Sequence, residues 1–214
     1  MDILIGVVIW AVSFLLGSIP WGYIFSKMLF HEDVREKGSG NIGTTNMMRT
    51  YGKKVGVGVF LLDFAKGLIA SVIAYFAGQA MGGTGTADVM GVYLGVSFWG
   101  VTWGHIFSPW LGFKGGKGIA TAIGSLFVVF GPILALLEIA IFVALVPTTR
   151  YVSLGSVACA VACPFFALYH FWGNWPAVVF CALGGIMVVV AHRGNIQRLL
   201  NGTERRIGDK KKTA

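Results

Sequence analysis

Charged side chains are scarce in this chain. Only 12% of its 214 residues are Asp, Glu, Lys or Arg, whereas 56% are hydrophobic and the mean hydropathy is +0.75. Soluble domains carry about 25% charged residues, so the composition excludes a soluble globular fold of this size. It predicts an integral membrane protein.

Cysteine is also rare. Cys159, Cys163 and Cys181 are odd in number and all lie inside apolar segments. No spacing typical of a metal site accompanies them. We therefore expect three buried thiols that pack as small hydrophobic side chains.

Two further features are missing. No basic residue precedes the first apolar run, as the start of a cleaved signal peptide requires, so we expect this run to be a retained helix. No internal repeat is evident, which removes one indication of a secondary transporter.

What the chain does contain is a series of seven apolar runs, at residues 3–25, 55–76, 89–106, 119–130, 133–146, 152–171 and 175–191. A helix needs about 20 residues to cross the hydrocarbon core. The fourth and fifth runs are short, and joined together they would form a helix of roughly 42 Å. Gly131-Pro132 separates them, so the sequence allows either a hairpin of two short helices or one long kinked helix.

The distribution of positive charge decides between these alternatives. The 17 lysines and arginines fall in four groups, at residues 27–66, 114–117, 150 and 193–212. A hairpin at Gly131-Pro132 puts all four groups on one face of the membrane, which the positive-inside rule makes cytoplasmic. We therefore predict an all-α membrane protein with about seven transmembrane helices and short interfacial helices. Its N-terminus is expected outside and its C-terminus inside, with residues 1–214 as one domain and 202–214 as a basic cytoplasmic tail.

The most distinctive polar segment runs from His105 to Thr121. It combines four glycines with Lys114 and Lys117, so backbone N–H groups and ammonium groups could converge on an anion. It is not a Walker A loop, because Lys117 is followed by Gly118 rather than Ser or Thr. The alternative is a tight turn whose lysines only mark the cytoplasmic side.

A second polar segment lies between the first two apolar runs. Its sequence predicts a short helix that starts near Thr44, with Thr45 and Arg49 on one face. Hydroxyl, amide and guanidinium groups before a helix N-terminus can form another anion site. An ordinary capped loop is the alternative here.

Two later segments add polar groups on the same side. Ser153 and Ser156 share a helix face with Arg150 and could bind a ligand or a neighbouring helix. His192 and Asn195 are one turn apart and can reach the same ligand.

Three ionisable residues lie within apolar runs. Asp63 and Lys66, at i and i+3, are expected to neutralise each other. Glu138 is expected to donate or accept a hydrogen bond with a neighbouring helix. We also expect close helix crossings at Gly91, Gly95, Gly100 and Gly104, which repeat at small-xxx-small spacing.

Four polar segments on one face suggest that two phosphate-bearing molecules meet there, one of them lipid-like. The segments are residues 38–46, His105 with residues 115–121, residues 150–156 and residues 192–204. In this order they resemble the acyl-phosphate-dependent glycerol-3-phosphate acyltransferases of bacterial inner membranes, over essentially the whole chain. The resemblance implies transfer of an acyl group from acyl phosphate to the 1-hydroxyl of glycerol 3-phosphate, giving lysophosphatidic acid and phosphate.

The resemblance also implies the partners and the place of action. The expected partners are acyl phosphate, glycerol 3-phosphate and membrane lipids, with no nucleic acid, cofactor or metal. The active site is expected on the cytoplasmic side of the inner membrane of a multi-pass monomer.

Residue roles follow from the same resemblance, position by position. The implied substrate-binding residues are Ser39, Asn41, Thr45, Asn46, Arg49, Gly115, Gly116, Lys117, Gly118, Ser156, His192 and Asn195. Arg49, Lys117, His192 and Asn195 are implied to be catalytic. His105 and Glu204 are implied to give structural support.

The donor's chemistry suggests the mechanism. An acyl phosphate has a good leaving group, so direct attack by the hydroxyl needs no covalent enzyme intermediate. Either His192 or the donor phosphate could take the proton. The His-Asp pair of soluble-fold acyltransferases is absent, since none of the four histidines is followed by Asp at the fifth position. The rival function is a small anion or phosphate-ester transporter, which requires ionisable residues in both halves of the membrane.

Overall fold

The computed structural model describes residues 2–209, and this part of the chain is all-helical. Its ten α-helices are α1 (Ile3–Ser18), α2 (Trp21–Phe30), α3 (Thr44–Tyr51), α4 (Lys53–Ala80), α5 (Val89–Ile106), α6 (Ile119–Val129), α7 (Gly131–Thr149), α8 (Val152–His170), α9 (Trp175–Ala191) and α10 (Arg193–Leu200). The predicted apolar runs and the short helix at Thr44 agree with these bounds to within a few residues, except in the first run. A basic tail was predicted over residues 202–214, and its lysines at 210–212 lie outside the described residues.

Length and apolar composition mark four segments of the described chain as candidate membrane spans. They are Ile3–Phe30, Lys53–Ala80, Gly131–Thr149 and Val152–His170, and the pair α9 and α10, bent by 54°, would add a fifth. The predicted fourth run, α6, has only 11 residues.

Helix α5 lies at the centre of the bundle. Nearly all of its residues are buried, and it packs against α1, α4, α6 and α9. Its glycines allow the closest of these contacts: a Cβ at Gly104 would lie 2.0 Å from the Phe14 carbonyl oxygen, and one at Gly100 would lie 2.7 Å from that of Trp10. The predicted close crossings at these two glycines are confirmed.

The chain turns back between α6 and α7, as predicted from Gly131-Pro132. Gly131 has φ +76°, which ends the helical path. Ile123 of α6 and Ile139 of α7 border the same small cavity, whereas a continuous helix would hold them roughly 24 Å apart. The hairpin is therefore confirmed.

The first apolar run, predicted as one helix over residues 3–25, is broken. Helix α1 ends at Ser18 and α2 begins at Trp21, with Ile19 and Pro20 between them. Proline has no N–H to continue the helical ladder. The Ile19 carbonyl oxygen instead accepts a hydrogen bond from the Lys66 ammonium at 2.8 Å.

Two predictions about buried groups are confirmed and one is wrong. The three cysteines are buried and free, and Lys66 Nζ lies 2.8 Å from Asp63 Oδ1. Glu138, however, forms no side-chain hydrogen bond to a neighbouring helix within residues 2–209, and its buried Oε2 has no partner there. The contact to α8 runs through its main chain, whose carbonyl oxygen accepts from the Cys159 thiol at 3.3 Å.

The α1–α5 crossing gives a first testable prediction. Gly104→Ala should lower the apparent unfolding temperature by roughly 5–10 °C, because the added methyl group meets backbone that cannot rotate away. A thiol-reactive dye can follow unfolding in detergent, since the buried cysteines become accessible on heating. The matched control is Gly85→Ala, where the added Cβ has no atom within 4 Å, so a change within about 2 °C is expected. Equal shifts in the two variants would contradict a tight crossing.

Candidate active site

A cavity of about 1050 Å³ opens where the ends of several helices meet. Four helices begin at its edge, namely α3, α6, α8 and α10, and none of the four has a side-chain cap. The first N–H groups of a helix lack intrahelical partners and carry partial positive charge. The cavity is therefore built to attract anions.

The N-terminus of α6 lies at this cavity, and the glycine before it allows the chain to turn there. Gly118 has φ +84°, and it borders the cavity together with Lys117 and Ile119. This geometry places the ammonium group and the first N–H groups of α6 at the same wall, which suits a phosphate group.

Gly115 and Gly116 act differently from the predicted phosphate cradle. The Gly115 N–H donates to the Ile106 carbonyl oxygen at 2.9 Å, and the Gly116 N–H donates to that of His105 at 3.0 Å. These two N–H groups are therefore paired with the end of α5 rather than free for a ligand, and direct substrate binding by the two glycines stays a prediction. A Cβ at Gly115 would lie 2.1 Å from the His105 carbonyl oxygen, so these glycines are needed for close packing against the end of α5.

A chain of hydrogen bonds positions Lys117. Its ammonium donates to Asn195 Oδ1, and Asn195 Nδ2 donates to Glu204 Oε1 at 2.6 Å. The other Glu204 oxygen accepts from Arg198 Nε at 2.6 Å. Glu204 thus holds α10 and Lys117 in one arrangement while its own charge is neutralised by Arg198.

Burial changes the charge balance of Lys117. Its pKa is lowered to about 8, chiefly by desolvation; the nearby Glu204 opposes this shift, and Arg198 and Arg49 contribute to it. The lysine is therefore charged at neutral pH but loses its proton more readily than an exposed lysine.

His192 stands at the bend between α9 and α10. Its Nδ1 lies 2.8 Å from the Val188 carbonyl oxygen. Because a carbonyl only accepts, Nδ1 carries the proton and Nε2 presents a lone pair. Burial lowers the pKa of His192 to about 4, so the ring is a neutral hydrogen-bond acceptor at the cavity wall.

The loop before α3 is organised by Asn46. Its side chain accepts from the Ser39 N–H at 2.9 Å and donates to the carbonyl oxygens of Lys37 and Asn41. Asn41 Oδ1 accepts from the Gly43 N–H at 2.8 Å. The two amides therefore shape the loop that presents its backbone and side chains to the cavity.

The remaining predicted residues from this region face the same space. Ser39, Thr45 and Arg49 border the cavity. Burial lowers the pKa of Arg49, and so does the nearby Arg205. Within residues 2–209 the Arg49 guanidinium has no ion-pair partner.

Ser156 also borders the cavity, and its hydroxyl donates to the Val152 carbonyl oxygen at 2.9 Å. Its oxygen can still accept from a ligand.

Among the cavity residues that the predicted site did not include are Thr44, Arg198 and Arg205. Arg205 reaches the cavity because the segment after α10 folds back, with the Ile207 N–H donating to the Arg150 carbonyl oxygen at 2.8 Å. No local sequence pattern reports this long-range contact. Thr44 could have been found as the first residue of the predicted helix.

The far end of the cavity is apolar. Phe60 of α4, Ile123 of α6, and Ile139 and Phe142 of α7 line it. A cavity with a cationic mouth and an apolar end can hold a molecule with an anionic head and a hydrocarbon tail.

Comparison with known proteins agrees with this picture. Residues 7–202 match the family model described as glycerol-3-phosphate acyltransferase. The chain is 40% identical over 211 residues to a glycerol-3-phosphate acyltransferase of Clostridioides difficile, covering 99% of this chain and 100% of that protein. It is 43% identical over 197 residues to one of Syntrophomonas wolfei, covering 92% and 94%.

Two solved structures share the fold. A crystal structure of PlsY (YgiH), an integral membrane glycerol 3-phosphate acyltransferase, in its glycerol 3-phosphate form has a TM-score of 0.83 and 35% identity, covering 95% of this chain and 96% of that one. The lysophosphatidic acid form has a TM-score of 0.80 and 34% identity, covering 95% of each chain.

The pKa of Lys117 predicts how anion binding depends on pH. Affinity for methyl phosphate should fall roughly tenfold between about pH 7 and about pH 9.5, because Lys117 loses its proton as pH rises through about 8. The ligand's second pKa is about 6, so it stays a dianion throughout. Calorimetry in detergent measures the change. Lys117→Arg keeps its charge at both pH values, so an equal fall in this variant would contradict the assignment.

Proposed function

The chain belongs to the glycerol-3-phosphate acyltransferase family, and from this premise we propose that it transfers an acyl group from acyl phosphate to the sn-1 hydroxyl of glycerol 3-phosphate. The chain is an acyltransferase, and its fold is that of an integral membrane protein. The proposed products are lysophosphatidic acid and inorganic phosphate, in the first step of phospholipid synthesis.

The observation that carries the proposal is that one cavity has both a cationic and an apolar end. Arg49 and Lys117 stand at the polar end, and Phe60 and Ile139 stand at the other. An acyl phosphate has this same polarity, because its phosphate is joined directly to a hydrocarbon chain. Glycerol 3-phosphate supplies the second anion, for which the same polar end offers further donors.

The chemistry proceeds by direct attack. The hydroxyl oxygen of glycerol 3-phosphate forms a bond to the acyl carbon, and the bond from that carbon to the phosphate oxygen breaks. The electron pair of the broken bond goes to the leaving phosphate, where Lys117, Arg49 and the α6 N-terminus stabilise the charge. Their first task is to hold two mutually repelling anions in contact.

The proton of the hydroxyl goes to the phosphate of the donor. His192, with a pKa of about 4, is a weak base, whereas phosphate monoesters have a second pKa of about 6. The Nε2 lone pair of His192 instead accepts a hydrogen bond from the hydroxyl and orients it. Asn195, one turn further on, positions Lys117 beside it.

The topology completes the proposal. We propose about seven spans, with α5 and the α6–α7 hairpin included, the N-terminus outside and the C-terminus in the cytoplasm. All four basic groups then lie on the cytoplasmic face of a bacterial inner membrane, where the soluble substrate is available. We propose a monomer as the active unit.

A small anion or phosphate-ester transporter remains the rival function. It would need polar access from both faces of the membrane. The apolar end formed by Ile123, Ile139 and Phe142 suits a hydrocarbon chain instead.

An assay without compartments separates the two functions. Purified protein in detergent should release phosphate from palmitoyl phosphate only when glycerol 3-phosphate is present, with lysophosphatidic acid formed in equal amount. Colorimetric phosphate detection and mass spectrometry of the lipid measure both products. Activity that appears only in sealed vesicles would favour the transporter.

The two proposed roles at the polar end predict opposite mutant effects. Lys117→Ala should lower kcat/KM by at least about 100-fold, because the developing phosphate charge loses its ammonium. His192→Gln should keep kcat within about threefold, since a carboxamide oxygen still accepts from the hydroxyl. Steady-state kinetics with both substrates varied measures this. A large loss of kcat in His192→Gln would contradict this and indicate that His192 is the general base.

A further inference from the structure

A buried cluster adjoins the polar wall of the cavity. The Lys66 ammonium lies 2.8 Å from Asp63 Oδ1, 2.8 Å from the Ile19 carbonyl oxygen and 2.9 Å from His105 Nδ1. The contacts to Ile19 and His105 are hydrogen bonds, and the contact to Asp63 is an ion pair. Sequence reasoning identified the Asp63–Lys66 pair, but not that His105, 39 residues away from Lys66, completes it.

The cluster determines the tautomer of His105. An ammonium group only donates, so Nδ1 must accept and therefore carries no proton. Thr121 Oγ1, 3.3 Å from the same nitrogen, can donate to it as well. Asp63 Oδ1 is 3.6 Å from Nδ1, too far to draw a proton there by a hydrogen bond. The neutral ring then carries its proton on Nε2.

The protonated nitrogen lies at the cavity. A Cβ at Gly116 would be 2.1 Å from His105 Nε2, so the ring edge lies against the bare backbone next to Lys117. His105 borders the cavity although only 4% of its surface is exposed. Within residues 2–209, Nε2 has no hydrogen-bond partner.

We propose that His105 Nε2–H donates a hydrogen bond to an oxygen of the acyl-phosphate group, and that Lys66 and Asp63 hold it in the donating tautomer. The inference rests on the proposed function and adds a substrate contact to it. His105 borders the same cavity as Lys117 and the apolar residues Phe60 and Ile119, and its Nε2 lies against Gly116, next to Lys117. His192 has the opposite tautomer and accepts from the other substrate.

Two substitutions distinguish a contact between His105 and the acyl phosphate from a purely structural role of His105. His105→Asn places a carboxamide oxygen where Nδ1 was, so Lys66 keeps an acceptor but the cavity loses its donor. His105→Gln can place an amide N–H near the Nε2 position and so keeps the donor.

The inference predicts a difference between the variants in their use of acyl phosphate. The kcat/KM for palmitoyl phosphate should fall about 10- to 100-fold in His105→Asn and stay within about threefold of wild type in His105→Gln. The KM for glycerol 3-phosphate should change little in either, and the unfolding temperature should change little in His105→Asn and fall in His105→Gln, which takes an acceptor from Lys66. Equal losses in both variants, or wild-type kinetics in both, would overturn the contact.

Nitrogen NMR can test the contact directly. If His105 had only a structural role, its nitrogen chemical shifts would not respond to a donor analogue. In protein labelled with [15N]histidine, the signals missing from His105→Asn identify His105. We expect a pyridine-type shift for Nδ1 and a pyrrole-type shift for Nε2, and a change at Nε2 when palmitoylphosphonate, a non-reacting donor analogue, is added. A pyridine-type Nε2, or no change on adding the analogue, would overturn the inference. If wild-type protein transferred no acyl group, the proposed function would fail, while these shifts would still decide whether His105 contacts the analogue.

Discussion

Uncompensated positive charge in a partly buried cavity is the constraint on which the rest of this structure depends. Arg49 and Lys117 are brought together with the starts of four helices, and burial lowers the pKa of both side chains. Of the two acids at the cavity, Asp63 is paired with Lys66 and Glu204 with Arg198. The positive side chains of the site therefore repel one another, and a phosphate between them would relieve this repulsion. This repulsion favours the binding of an anion, and it also lowers the stability of the folded protein.

The scarce acidic residues are used to hold this arrangement together. Glu204 connects α10, Lys117 and Arg198, and Asp63 connects α4 to the end of α5 through Lys66. Neither carboxylate needs to take part in chemistry for its loss to be damaging. Loss of Asp63 leaves the buried Lys66 without its ion-pair partner, and loss of Glu204 removes the acceptor that positions Asn195 and Arg198. In a chain with 9 Asp and Glu residues, two of them hold the positive side chains of one cavity in place.

Sequence reasoning succeeded where the deciding contacts are local. The Asp63–Lys66 pair is three residues apart, and Gly131-Pro132 determines the hairpin through its own backbone geometry. It failed where distant segments meet. The spacing of Gly115 and Gly116 resembles an anion loop, but their N–H groups are taken by α5, which no pattern within the loop reveals. The contact of His105 with Lys66 and the fold-back that brings Arg205 to the cavity were missed for the same reason.

The two cavity histidines show how this site can work without a strong base. His105 is held as a donor by an ammonium group and His192 as an acceptor by a backbone carbonyl. Each tautomer is determined by a partner that does not change during the reaction, so neither ring has to gain or lose a proton. Such a site can orient two substrates but cannot by itself activate a poor acyl donor. The proposed donor meets this need, because an acyl phosphate carries both a good leaving group and its own proton acceptor.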